Sequence, residues 1–285
     1  MSKEERVRRI NPRTIIISLA IVVILLLIYW PVFRWLLNSW LSNEFYSHGF
    51  LVPVVSGFFI WTKRDYLRRK DHSILGYFFL VLVGLFYVFY LLWEIKTLGA
   101  LSFILVITSL ALLLFGKRSS KAILFPLVFL LFMIPFPFIG DLAYSLQQIS
   151  IIISSWFLEV LGLPITTLGS EIHLGSTVFT IGLPCSGINT FIALLALAAV
   201  YTYILTGSIY KRLSIFILAF PMAIIANILR ISTVIIVAYY GSVDTATGWY
   251  HSLSSPLFFA IAFLILVLAA WIMKCKINYE ILRPK

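Results

Sequence analysis

One stretch of the chain carries residue types suited to covalent chemistry. Gly182-Leu183-Pro184-Cys185-Ser186-Gly187-Ile188-Asn189-Thr190 sets a single cysteine among turn-forming residues, directly ahead of a long apolar run. Pro184 and Gly187 break the chain around the thiol, and Ser186 is placed to cap the helix that follows. Cys185 then stands at a helix N-terminus, where the dipole favours the negative charge of a thiolate. The plainer alternative is a small inert hydrophobe, the usual state of a free cysteine in an apolar helix.

Two further groups bear on that choice. Arg230 lies inside an apolar run, and His251 opens another, in Gly248-Trp249-Tyr250-His251-Ser252. A guanidinium within a membrane span costs at least ~2.5 kcal/mol on insertion scales, and such residues are as a rule functional or paired. Its structural alternatives are snorkelling toward headgroups or a bond to Glu171, Asp141 or Asn227. Asn227, one turn earlier on the same helix face, is placed to orient the guanidinium. An interfacial histidine is as readily structural as functional. Together, though, a base and a fixed cation supply what a thiol nucleophile needs for acyl transfer.

These residues need elements to position them, and composition says which kind. The 285 residues are 61% hydrophobic and 12% charged, the balance of an all-α polytopic membrane protein in one transmembrane domain. Eight spans are expected, at about 14–32, 48–61, 74–93, 98–115, 121–138, 186–205, 213–237 and 253–273. The first resembles a signal peptide in its charge but lacks a small-x-small cleavage site, so it reads as an anchor. Residues 141–163 put Leu142, Leu146, Ile149, Ile153, Trp156 and Val160 at helical spacing. Ser145, Gln147, Gln148, Ser150, Ser154, Ser155 and Glu159 make a polar side, a pattern suited to an amphipathic helix lying in the interface. Residues 171–181 are rich in β-branched residues around Gly175-Ser176 and predict a small β-hairpin on the outer face.

The net charge of +11 is then a topology signal. With both termini cytoplasmic, eight spans place 19 of the 22 Lys and Arg on the cytoplasmic side. A ninth span at 141–163 would turn Lys211, Arg212 and the basic tail outward. The basic excess therefore serves orientation and anionic lipids rather than nucleic acid. In this frame Cys185, Arg230 and His251 share the outer third of the bilayer, while Cys275 lies a membrane thickness away and does not pair with Cys185. His48 and His173 also fall on the outer side, so Cys185 with three histidines is a zinc alternative, though no spacing supports it and Arg230 would repel a cation. No metal or other cofactor is expected.

Pro184-Cys185-Ser186-Gly187, Asn227-Ile228-Leu229-Arg230, His251 and Tyr46-Ser47-His48-Gly49-Phe50-Leu51-Val52-Pro53 together resemble the exosortase/archaeosortase family over almost the whole chain. The resemblance implies a cell-membrane cysteine transpeptidase with its site facing the extracytoplasmic side. Its substrates would be membrane proteins with a tripartite C-terminal signal: a short motif of the Pro-Glu-Pro or Pro-Gly-Phe kind, one hydrophobic span and a basic cluster. Cys185 would be the nucleophile, Arg230 the essential cation and His251 the third catalytic member. His251 leans toward the exosortase-like branch, since some archaeal members carry arginine there. Asn227 and Ser186 would support these, while His48, Pro53 and Tyr250 would touch substrate. The acceptor would be an amine, on a lipid or elsewhere, or water. Span 2 and the 141–163 helix would frame a lateral route for the substrate.

Two readings of other classes compete. In a transporter, Arg230 would be a coupling or anion-binding charge, but no inverted repeat is evident and the polar residues gather at one face. A structural partner in polysaccharide export would need no chemistry at all.

Overall fold

A computed structural model describes residues 12–68 and 71–283 of the chain. Lys3, Arg6, Arg8, Arg9, Arg69, Lys70 and Lys285, which enter the charge argument, lie outside the described residues. Among the described residues twelve α-helices run in order: α1 (Pro12–Ile28), α2 (Trp30–Ser42), α3 (Leu51–Thr62), α4 (Leu75–Trp93), α5 (Lys96–Ala122), α6 (Leu124–Phe129), α7 (Ile139–Val160), α8 (Ile188–Ile204), α9 (Ile209–Tyr240), α10 (Val243–Thr245), α11 (His251–Ile272) and α12 (Tyr279–Leu282). Between α7 and α8 lie three strands, β1 (Ile165–Leu168), β2 (Glu171–Leu174) and β3 (Thr177–Thr180).

Five helical stretches are long and apolar enough to cross a membrane: Glu44–Thr62, Leu75–Trp93, Lys96–Ala122, Ile209–Tyr240 and Val243–Ile272. A sixth joins Leu19–Ile28 to Trp30–Ser42 across a 65° bend. Leu124–Met133 and Ile188–Ile204 stand where two more spans are expected but are shorter apolar helices. At ~1.5 Å per residue Leu124–Met133 falls well short of a core of ~30 Å, while Ile188–Ile204 comes close to it. Length and composition alone therefore give five or six candidate spans among the described residues.

The segment expected as one span at 121–138 is broken. It ends in a 3-10 turn, Leu130–Met133, because Pro135 and Pro137 cannot continue a helix. The backbone groups this break frees are met from the Tyr46–Pro53 region and α2. Phe136 N–H donates to the Tyr46 hydroxyl at 2.9 Å, His48 Nε2 lies 3.3 Å from the Phe132 carbonyl, and Trp40 Nε1 donates to the Met133 carbonyl at 2.9 Å. A Cβ on Gly49 would overlap the Trp40 indole, so glycine is what lets this corner close.

The 141–163 segment is a helix, as its spacing predicts, but it is turned the other way. Gln147, Ser150, Ser154 and Ser155 of α7 are buried, whereas Ile149, Ile153, Trp156 and Val160 are exposed. Most of its polar side faces protein, Ser145 and Glu159 excepted, and most of its apolar stripe faces outward, Leu146 excepted, the arrangement expected where the surroundings are lipid. The hairpin expected at 171–181 is present as β2 and β3, turning at Gly175-Ser176, and β1 adds a third strand to give an antiparallel sheet, β1-β2-β3. β1 lies outside that expectation because Ile165-Thr166-Thr167-Leu168 does not alternate apolar and polar residues.

α8, α9 and α11 form the centre, packed through small residues such as Ala198, Ala219, Ala223, Ala262 and Ala270, which allow close helix approach. A second apolar cluster joins Ile151 and Leu158 of α7, Ile172 and Phe179 of the sheet, and Ile231, Val234 and Ile235 of α9. The sheet is thereby clamped on the C-terminal part of α9. At the opposite end Leu205 bridges Ile277, and Lys211 Nζ donates to the Met273 carbonyl at 2.9 Å, so the basic turn after α8 meets the basic tail.

Candidate active site

The cysteine turn is built by local backbone constraints and then held from two helices. Leu183–Ser186 is a 3-10 turn in which Cys185 N–H donates to the Gly182 carbonyl at 2.9 Å. Gly187 follows with φ 84°, a left-handed conformation that costs any residue with a Cβ. A Cβ there would also collide with the Asn227 side chain. Ser186 Oγ accepts from Ile188 N–H at 3.3 Å, at the first residue of α8, so the expected cap exists one residue before the Gly187 N-cap position.

Asn227 does something other than orient Arg230. Its Nδ2 donates to the Ser186 carbonyl and to Ser150 Oγ, both at 2.9 Å, and more loosely to the Cys185 carbonyl at 3.4 Å. Gln147 Nε2 donates to the Ile181 carbonyl, and Ser154 Oγ donates to the Ile228 carbonyl at 3.2 Å. The buried polar stripe of α7 thus fixes the chain on the approach to the cysteine and the helix behind it. Sequence reading missed Gln147 and Ser150 as site residues. Their signal is present in the polar side of 141–163, read there as one side of an interfacial helix.

His251 reaches the same place from the other side. Ala246–Tyr250 winds as one wide turn with Gly248 out of helical conformation (φ −86°, ψ −114°), and α11 starts at His251. Cys185 Sγ and His251 Nε2 lie 3.9 Å apart, within hydrogen-bonding reach of sulfur, and Nε2 can take the thiol proton when the ring carries its own hydrogen on Nδ1. Both line a cavity of about 260 Å³ together with Arg230. Arg230 sits ten residues before the end of α9, ~15 Å along the axis. Its Nε is buried with no hydrogen-bond partner, and no carboxylate pairs with it among the described residues. Glu171, one structural alternative, bonds His173 at 3.1 Å, and Asp141 is exposed on α7.

The remaining candidates stand elsewhere. His48 borders a separate apolar cavity with Leu51 and Val52, and neither it nor Pro53 lines the Cys185 cavity. Tyr250 packs on the same apolar cluster as Cys185 without lining the cavity. With His48 tied to Phe132 and His173 to Glu171, the zinc alternative has its ligands apart, and no group of three or more His, Cys, Asp or Glu is arranged for a metal among the described residues. Cys275 lies by Gly207 at the opposite end of α8.

Chemically, the cavity offers a thiol beside an imidazole and a cation without a counter-charge. In surroundings of low dielectric such a cation acts strongly on developing negative charge. No curated protein and no solved structure matches the chain. The family model for transmembrane exosortases matches residues 40–268, which takes in the cysteine turn, Asn227, Arg230 and His251. This membrane protein therefore belongs to the transmembrane exosortase family, which as a family are cysteine transpeptidases.

Proposed function

We infer that the chain is a cysteine protease-transpeptidase that cleaves C-terminal sorting signals of exported membrane proteins at the extracytoplasmic face of the cell membrane. The observation that carries this reading is the 3.9 Å approach of Cys185 Sγ to His251 Nε2 in one cavity with the unpaired Arg230. Its substrates carry a short motif, one hydrophobic span and a basic tail. With the tail held in the cytoplasm, the motif emerges at the end of the bundle opposite Lys211 and Met273, the end where Cys185 lies. Eight membrane-associated segments with both termini cytoplasmic fit this orientation, the basic loops resting on anionic lipid.

In the first step the Cys185 thiolate attacks the carbonyl carbon of the scissile peptide, and its oxygen takes the negative charge beside Arg230. The C–N bond then breaks. His251, holding the proton taken from the thiol, passes it to the departing amine and leaves a thioester on Cys185. An acceptor amine, on a lipid or elsewhere, or water then attacks the thioester. His251 takes its proton and the thiolate departs. The test is co-expression with a reporter bearing such a tripartite tail, following loss of its C-terminal span. Wild-type protein should release the span, and Cys185→Ala should abolish release; release by Cys185→Ala at the wild-type rate refutes the thioester route.

A further inference from the structure

β3 is an edge strand: the sheet order is β1-β2-β3, and no strand pairs on its other side among the described residues. The register shows which of its main-chain groups are spare. Ile181 N–H donates to the Ser170 carbonyl at 2.8 Å, so those two form a hydrogen-bonded pair. Bonded and non-bonded pairs alternate along an antiparallel ladder, which makes Phe179–Ile172 and Thr177–Leu174 bonded pairs as well. The N–H and C=O groups of Val178 and Thr180 therefore point away from β2, and no partner meets them among the described residues.

That free edge borders the Cys185 cavity. Val178, Phe179, Thr180 and Ile181 all line it, although successive side chains of a strand face opposite ways. Phe179 and Ile181 are buried in the apolar cluster while Val178 and Thr180 are exposed. A space that touches both faces of one strand and no residue of its partner runs along the strand's edge. Its far wall is Ile231, Val234 and Ile235 of α9 with Thr247, and its end is Cys185 and His251.

We propose that this edge is the peptide-binding subsite. An extended segment of substrate adds beside β3 as a fourth strand, bonds the N–H and C=O of Val178 and Thr180, and so lays its reacting carbonyl at Cys185. This rests on the function inferred above. Main-chain bonds of this kind give affinity whatever the sequence, and selectivity falls on alternate side chains. Those turned to the α9 wall meet Val234 and Ile235 and must be apolar, while the intervening ones face outward and are free to vary. The substrate also covers an exposed strand edge that is otherwise open to pairing with another chain.

The test uses the purified full-length Cys275→Ala protein in detergent and an apolar tetrapeptide vinyl sulfone that alkylates Cys185, followed by intact mass. Single N-methylation should slow labelling about tenfold at alternate peptide amides, the loss of one hydrogen bond, and leave the intervening positions near the parent rate. Thr180→Pro, which removes a spare N–H and no ladder bond, should lower the ratio of peptide to iodoacetamide labelling of Cys185 by a similar factor. Equal sensitivity at every amide, or a tetrapeptide no faster than ethyl vinyl sulfone, overturns the proposal. The reporter assay decides separately: alternation without processing of the reporter keeps the subsite and discards the sorting-signal function.

Discussion

Replacing Asn227 with leucine tests whether the cysteine turn is held by α9. Leucine nearly preserves the shape that fills the space beside Gly187 and removes the amide that bonds Ser186 and Ser150 at 2.9 Å. Each such bond is worth roughly 1 kcal/mol net, and a buried acceptor left without a donor costs about 1–3 kcal/mol more. Ser186 is 1% exposed, so its carbonyl has no ready replacement from water. The turn should lose about 2–4 kcal/mol relative to opened conformers, and at about 1.4 kcal/mol per factor of ten this lowers the ratio of ordered to opened turn by roughly 30- to 700-fold. Two measurements read it. Reporter processing should fall at least about tenfold, and iodoacetamide should alkylate Cys185 faster in the Cys275→Ala background because the turn opens. Ser150→Ala removes one of the two short bonds and should show the same signs at smaller size. The two substitutions should combine less than additively, since they share a bond. Wild-type processing and alkylation in Asn227→Leu would show that the turn stands without α9.

Gly187→Ala should be worse than its size suggests. The left-handed backbone costs about 1–2 kcal/mol for a residue with a Cβ, and the new methyl meets the Asn227 side chain; processing should be lost while membrane insertion, read by fractionation, is unchanged. Arg230→Lys keeps the charge but not the planar fork, so it should retain part of the reporter cleavage that Arg230→Gln loses. Cleavage by Arg230→Gln at the wild-type rate would remove the cation from the mechanism. Tyr46→Phe leaves Phe136 N–H without its acceptor. It should lower thermal stability by about 1–2 kcal/mol with no change in iodoacetamide labelling of Cys185, because this corner braces the break at Pro135 rather than the cysteine turn.

Much of the fold was legible along the chain because lipid imposes a strong local rule: apolar runs with few charges become helices whatever they pack against. The turn around Cys185, the helices carrying Arg230 and His251, and the helical spacing of 141–163 all follow from residue type and order. Burial in a membrane protein does not follow hydropathy, however, and that is where reading failed. Gln147 and Ser150 read from sequence only as the polar side of an interfacial helix, because periodicity does not say what a polar face meets. The structure turns them inward, since a polar group facing lipid goes unsatisfied while one facing another helix finds a carbonyl. The role of Asn227 was misread for a related reason. Helical spacing puts it one turn from Arg230, but spacing says nothing about the Ser186 carbonyl, which comes from a different segment.

By itself, then, the sequence determined which groups exist and on which helix or turn each stands. The distance of 3.9 Å between Cys185 and His251, residues 66 apart, depends on how α9 and α11 pack and on where Gly248 bends the chain. The free edge of β3 likewise depends on a register between short segments, set by two-residue turns and by which side chains reach the α9 wall. Contacts between distant segments are decided by the summed packing of many side chains, and no local pattern encodes that sum.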